Sequence, residues 1–138
     1  MKRLLCALWF VLLLSSAVQA DDTPGLTVQV LAKTGSSWDG STLPAYPTNS
    51  PEITILRITI PAGATLPLHQ HPVINAGILL SVELTVITED DKTLNLKAGD
   101  PIVEVVNKWH YGKNDGNNPA VILVFYAGAM DTPITIKN

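Results

Sequence analysis

The sequence predicts an all-β fold in a single domain, a closed barrel or a sandwich of short strands. From residue 26 onward, short apolar stretches rich in Val, Ile and Thr are punctuated by Pro, Gly, Asn and Asp, the pattern of strands and turns. No segment repeats its apolar residues convincingly at the helical period. At 138 residues the chain has room for one core, and it shows no internal repeat, low-complexity tract or second domain.

Taken in order, the pattern places strands over 26–32, 53–60, 65–70, 77–88, 93–96, 102–106, 109–113, 120–126 and 134–136. Glu89-Asp90-Asp91-Lys92 and Asn114-Asp115-Gly116-Asn117-Asn118-Pro119 are polar, turn-forming connections, and both read as hairpins. The apolar run from Val121 to Tyr126 lacks alternation, which predicts a central strand covered on both faces or a strand at a subunit interface. Residues 35–51 form the longest connection, with three prolines, Trp38 and Tyr46, and read either as a lid over a pocket or as a plug at one end of the barrel.

The first twenty residues stand apart from this pattern. Lys2 and Arg3 precede an apolar run from Leu4 to Leu14, followed by Ser15, Ser16, Ala17, Val18, Gln19 and Ala20. A basic start, an apolar centre and small residues before the cut are the order of a secretory signal peptide, and the run is shorter than the roughly 20 residues of a spanning helix. The expected organisation is a signal peptide over 1–20 and a β-barrel domain over 21–138, placing the mature chain in the periplasm or outside the cell, with no membrane association after cleavage. The single cysteine, Cys6, falls in the leader, so the mature domain has no disulfide, thiol nucleophile or thiolate ligand. Loss of Lys2 and Arg3 leaves seven basic residues against twelve acidic ones, a net charge of −5. An acidic surface without a basic stripe argues against nucleic acid as a partner.

Two of the three histidines form His69-Gln70-His71 at the end of an expected strand. Residues two apart on a strand face the same side, so both imidazoles can converge on one ion, and imidazole nitrogen suits zinc, copper, nickel and iron. His110, in Asn107-Lys108-Trp109-His110-Tyr111-Gly112, is the natural third ligand if its strand lies across the barrel. By spacing alone, a solvated and idle His-x-His pair is an equally good reading.

The segment from Gly63 to Asn75, with His69 and His71, resembles the first cupin motif, a glycine, five residues, His-x-His, three or four residues and a glutamate. The segment from Gly99 to Asn114 resembles the second, with His110 at its histidine and Asn114 at its closing asparagine. Trp38-Asp39-Gly40 and the run from Pro72 to Gly77 are similar to phrases of small exported bacterial cupins. The resemblance implies a cupin-type jelly-roll barrel of two antiparallel sheets, with the motif histidines pointing inward around one divalent transition metal, zinc, iron, nickel, copper or manganese. It also implies a small-molecule ligand or substrate and, by the family's habit, a homodimer.

Four positions depart from the motifs. Asn75 stands at the glutamate ligand, Val82 at a glycine, and Val105 and Asn107 at a proline and a glycine. Asn107 is suited to replace glycine in a left-handed turn. Asn75 changes the chemistry, because an amide brings a neutral oxygen to the ion, or to water bound on it, in place of a charged one. Three neutral imidazoles leave the ion's full positive charge in the pocket and coordination positions open, which favours binding an anion or activating water or a chelating substrate. Two functions follow: a metal-dependent enzyme of oxygenase or isomerase type on a small organic molecule, or a non-catalytic module that binds a small ligand or the metal. Histidines that merely stabilise the barrel are the third reading. Glu83 and Glu104 are candidate bases only by charge, and both are expected to face solvent.

Overall fold

The computed structural model describes residues 24–138, so the expected leader lies outside the described residues. Among the described residues nine strands make two antiparallel sheets: β1 (Pro51–Ile60), β2 (His69–Gln70), β3 (Ile74–Ser81), β4 (Glu83–Thr88), β5 (Thr93–Lys97), β6 (Pro101–Val103), β7 (His110–Lys113), β8 (Ala120–Ala129) and β9 (Ile136–Lys137). One sheet has the order β1-β8-β3-β6 and the other β5-β4-β7-β2-β9. Among the described residues there is no helix, and none is therefore long and apolar enough to cross a membrane.

Alternation builds the core. Leu56, Ile58 and Ile60 of β1 face inward with Ile122, Val124 and Tyr126 of β8, and meet Leu84, Val86 and Leu96 from the opposite sheet. The outward residues of the same strand remain in solvent, Ile53 at 64% and Ile55 at 55% exposure. β8 is central in its sheet, as its apolar run predicts, but its burial alternates and Phe125 on the outer face is exposed. Its neighbour β3 comes so close at Gly77 that a Cβ there would lie 2.7 Å from the Leu123 carbonyl oxygen, so only glycine fits.

Four expectations are corrected. The strand expected over 77–88 is two strands in different sheets, divided at Val82, whose φ of 53° turns the chain from one sheet to the other. A β-branched residue in that left-handed conformation costs about 1–2 kcal/mol, and the position is the one the motif gives to glycine. Asn107, at φ 54°, takes the conformation anticipated for it. Second, the loop from Asn114 to Pro119 is no hairpin: β7 and β8 belong to different sheets, and the loop crosses between them. The turn between β4 and β5 is a hairpin, as expected. Third, residues 26–32 form no strand and pair with none among the described residues, leaving Val28 74% and Val30 70% exposed. Fourth, the expected strand over 65–70 survives only as the short β2 and an isolated bridge from Thr65 to Lys113.

The 35–51 connection is a plug at Trp38 and not at Tyr46. Trp38 packs on the core, whereas Tyr46 is exposed. The Trp38 main-chain N–H donates to the Val103 carbonyl (2.9 Å), and the Ser37 hydroxyl donates to that of Glu104 (2.8 Å). Lys108 bridges Asp39 (2.8 Å) and Asp90 (3.0 Å), tying the same connection to the segment before β7. Burial opposes the Asp39 charge, but Lys108 and Ser41 more than offset it and hold the carboxyl well below its usual range.

Candidate metal centre

The three histidines meet inside the barrel. His69 and His110 are direct cross-strand partners on β2 and β7, and His71 follows immediately after β2. A donor atom from each ring lies within 4.8 Å of the others, and the ring centroids are 4.5–5.0 Å apart. His71 and His110 are buried, and His69 is half-buried.

Each ring is held through Nδ1 by a backbone carbonyl: His69 by Pro67 (2.8 Å), His71 by Ile134 (2.7 Å) and His110 by Lys108 (2.9 Å). A carbonyl only accepts, so Nδ1 must carry the proton and the Nε2 lone pair is left free. Burial lowers the basicity of all three rings, that of His71 to about 4, with the neighbouring imidazoles adding to the effect at His69 and His71. Neutral imidazoles with one nitrogen fixed by a backbone partner are what a metal ion requires.

Asn75, on β3, is 1% exposed and lines the same cavity. Its amide nitrogen approaches the Val73 carbonyl at 3.4 Å, while Oδ1 is buried with no hydrogen-bond partner. An orphaned buried acceptor beside three free imidazole nitrogens fits a site that holds an ion or a ligand's donor group.

The structure corrects the expectation for Glu104 and agrees with that for Glu83. Glu83 is exposed at the start of β4. Glu104 is buried, lines the cavity, and brings Oε2 to 3.4 Å from His110 Nε2. Burial is the main force pushing its carboxyl up to about 7; the Val105 N–H, the His69 ring and the Trp38 indole oppose it. The Trp38 indole N–H approaches this carboxylate without reaching hydrogen-bond geometry, and the Val105 N–H donates to it in a long bond of 3.3 Å. Alternation could have found it, since Glu104 shares the inward face with Ile102 two residues earlier. Neither Trp109 nor Tyr111 lines the cavity.

The histidines line a cavity of about 390 Å³ whose walls are mostly aliphatic, including Leu56, Ile58, Leu84, Val86, Ile122 and Val124. Glu104 is its one acidic lining residue and Lys137 its one basic one. Burial pushes the Tyr126 hydroxyl up to about 12, so at neutral pH it stays protonated.

Comparison with known proteins agrees with this geometry. A family model described as the cupin domain matches residues 56–126, just over half of the chain. No curated protein sequence matches it. Among solved structures, the DMSP lyase DddQ from Ruegeria pomeroyi DSS-3 is similar at 23% identity and TM-score 0.55, covering 62% of this chain and 43% of that one. Oxalate decarboxylase from Bacillus subtilis, a protein with Mn(II) centres, is similar at 28% identity and TM-score 0.53, covering 62% of this chain and 23% of its own. A cupin-like protein from Thermotoga maritima MSB8 is 14% identical at TM-score 0.53, covering 62% and 64%. This chain thus spans less than half the length of the two named enzymes. The motif histidines, the jelly-roll barrel that brings them together and the family match all agree, and the chain belongs to the cupin family.

Proposed function

We propose that the protein is an exported, metal-binding cupin that acts as a metal-dependent enzyme of oxygenase or isomerase type on a small organic molecule. The observation that carries this reading is three imidazole nitrogens converging in a largely aliphatic cavity. His69, His71 and His110 would hold one divalent transition metal, with the Asn75 amide oxygen beside them. When bound, such an ion polarises a substrate oxygen and supplies an open position for it.

The chain's own residues do the rest. The carbonyls of Pro67, Ile134 and Lys108 fix the ring orientations before any ligand arrives. The aliphatic walls exclude water and take the apolar body of the substrate. Asn75 Oδ1 accepts a hydrogen bond from the occupant's polar head, and the Tyr126 hydroxyl, held protonated, is a donor and not a base. The Mn(II) centres of Bacillus subtilis oxalate decarboxylase support a metal in this fold. A small, wholly polar dianion such as oxalate would leave the aliphatic walls uncovered. A substrate with an apolar body suits it better.

Turnover decides between enzyme and binding module. Metal-loaded protein is incubated with small phenols and carboxylic acids while oxygen uptake and products are followed. Metal-dependent conversion, reduced at least about a hundredfold in His110→Ala, is the expected result. Tight calorimetric binding without product would overturn the enzyme reading and leave a non-catalytic module.

Export and self-association complete the proposal. The leader-like order of residues 1–20 supports export, and the unpartnered apolar segment over 26–32 supports a homodimer in which a second copy covers it. Intact mass and light scattering on exported protein check both. The expected species begins at Asp21 and has the mass of two chains; an uncleaved or monomeric protein would contradict the corresponding part.

A further inference from the structure

We propose that Glu104 is the carboxylate ligand of this metal centre, placed on the strand next to the one that carries Asn75. The inference rests on the metal reading above and goes beyond it by giving the site an anionic member.

Three observations carry it. Glu104 follows β6 directly, and its N–H donates to the Asn75 carbonyl at 3.1 Å, so the two residues are neighbours across the β3–β6 pair with both side chains directed into the cavity. A carboxylate missing from position 75 is therefore supplied one strand away. Second, Glu104 Oε2 lies 3.4 Å from His110 Nε2. The His110 proton is on Nδ1, engaged with the Lys108 carbonyl, so a nitrogen lone pair faces a carboxylate oxygen in a buried site. Oxygen and nitrogen in that relation are joined by the carboxyl's own proton or by a cation, and donors each about 2.1 Å from one tetrahedral ion are themselves about 3.4 Å apart, the separation found here. Third, the backbone that carries Glu104 is fixed from behind, by the Ser37 hydroxyl on the Glu104 main-chain carbonyl and by the Trp38 main-chain N–H on that of Val103. The connection over 35–51 thus acts as a positioning element for the site.

A carboxylate also answers the charge of the ion. Three neutral imidazoles leave the full divalent charge in an aliphatic cavity, whereas one carboxylate among the ligands lowers it by one.

Cobalt(II) is the probe, because its visible spectrum reports coordination and its affinity is measured by competition with a chromogenic chelator. Glu104→Gln, which keeps the shape, is expected to weaken cobalt(II) binding about a hundredfold and to change the visible bands at saturation. Asn75→Ala is expected to weaken it less. The double variant Asn75→Glu, Glu104→Gln, which returns the carboxylate to β3, is expected to recover most of the affinity. Glu83→Gln, on the exposed end of β4, is expected to leave it unchanged. Parent-like affinity and spectrum in Glu104→Gln would overturn this inference while leaving the three-histidine site intact. A parent that binds no cobalt(II) would overturn both the inference and the metal reading.

Discussion

Replacing Asn114 with Ala is expected to lower the stability of the metal-free domain by about 3 kcal/mol, close to 10 °C in melting temperature. The side chain is 1% exposed and connects four backbone groups. Its amide nitrogen has two protons for three carbonyls, donating to that of Asn118 (2.8 Å) and sharing a proton between those of Ile60 (3.1 Å) and Pro61 (3.2 Å), and its oxygen accepts the N–H of Gly116 (3.0 Å). These contacts join the end of β1 to the loop that crosses between the sheets. Alanine would leave several buried polar groups without partners and open a void beside them. The motif asparagine is thus a staple of the barrel and no ligand. Thermal unfolding of the metal-free variant checks this, and a loss below about 1 kcal/mol would contradict the role.

Metal-free protein is expected to lose stability on acidification from pH 7 to pH 4.5, and Glu104→Gln is expected to lose it more steeply. The sign follows from proton binding in each state. Burial lowers the folded pKa of His69, His71 and His110 below the unfolded value of 6.5, so below that pH the unfolded chain binds more protons. The stability these rings contribute is complete above pH 6.5 and lost as pH falls toward their folded values. For His71, lowered to about 4, the full loss is about 3 kcal/mol. Glu104 works in the opposite sense: with its folded pKa raised to about 7, it contributes stability below pH 4.5 that is lost as pH rises through 7. In the parent the two effects partly cancel. Removing the carboxylate leaves the histidines unopposed and relieves a buried charge at high pH, so the variant melts higher than the parent at pH 8 and falls faster below 6.5. Parallel pH profiles would show that Glu104 does not carry this burden.

The histidine site was legible in the sequence because its logic is local. A His-x-His pair on a strand faces one way whatever surrounds it, and the motif spacing pointed to His110. The cross-strand pairing of His69 with His110 is the tertiary fact that completes it. Glu104 was misread because charge alone predicts exposure, while the alternation it shares with Ile102 turns it inward. The break at Val82 was hidden because its local chemistry is that of a strand residue; the motif's glycine position was the better signal. The loop from Asn114 to Pro119 shows a different limit. Turn-forming residues announce that a strand ends, but which sheet receives the next strand is decided by the packing of the whole barrel. The segment over 26–32 has strand chemistry, yet among the described residues no strand pairs with it, because local pattern does not decide which sheet edge receives a segment.

The most direct test of the account is metal content by elemental analysis on mature protein purified without an affinity tag, compared with a His69→Ala, His71→Ala double variant. The account predicts close to one transition-metal ion per chain in the parent and none in the variant. No metal in the parent even after loading, or equal metal in both proteins, would contradict it.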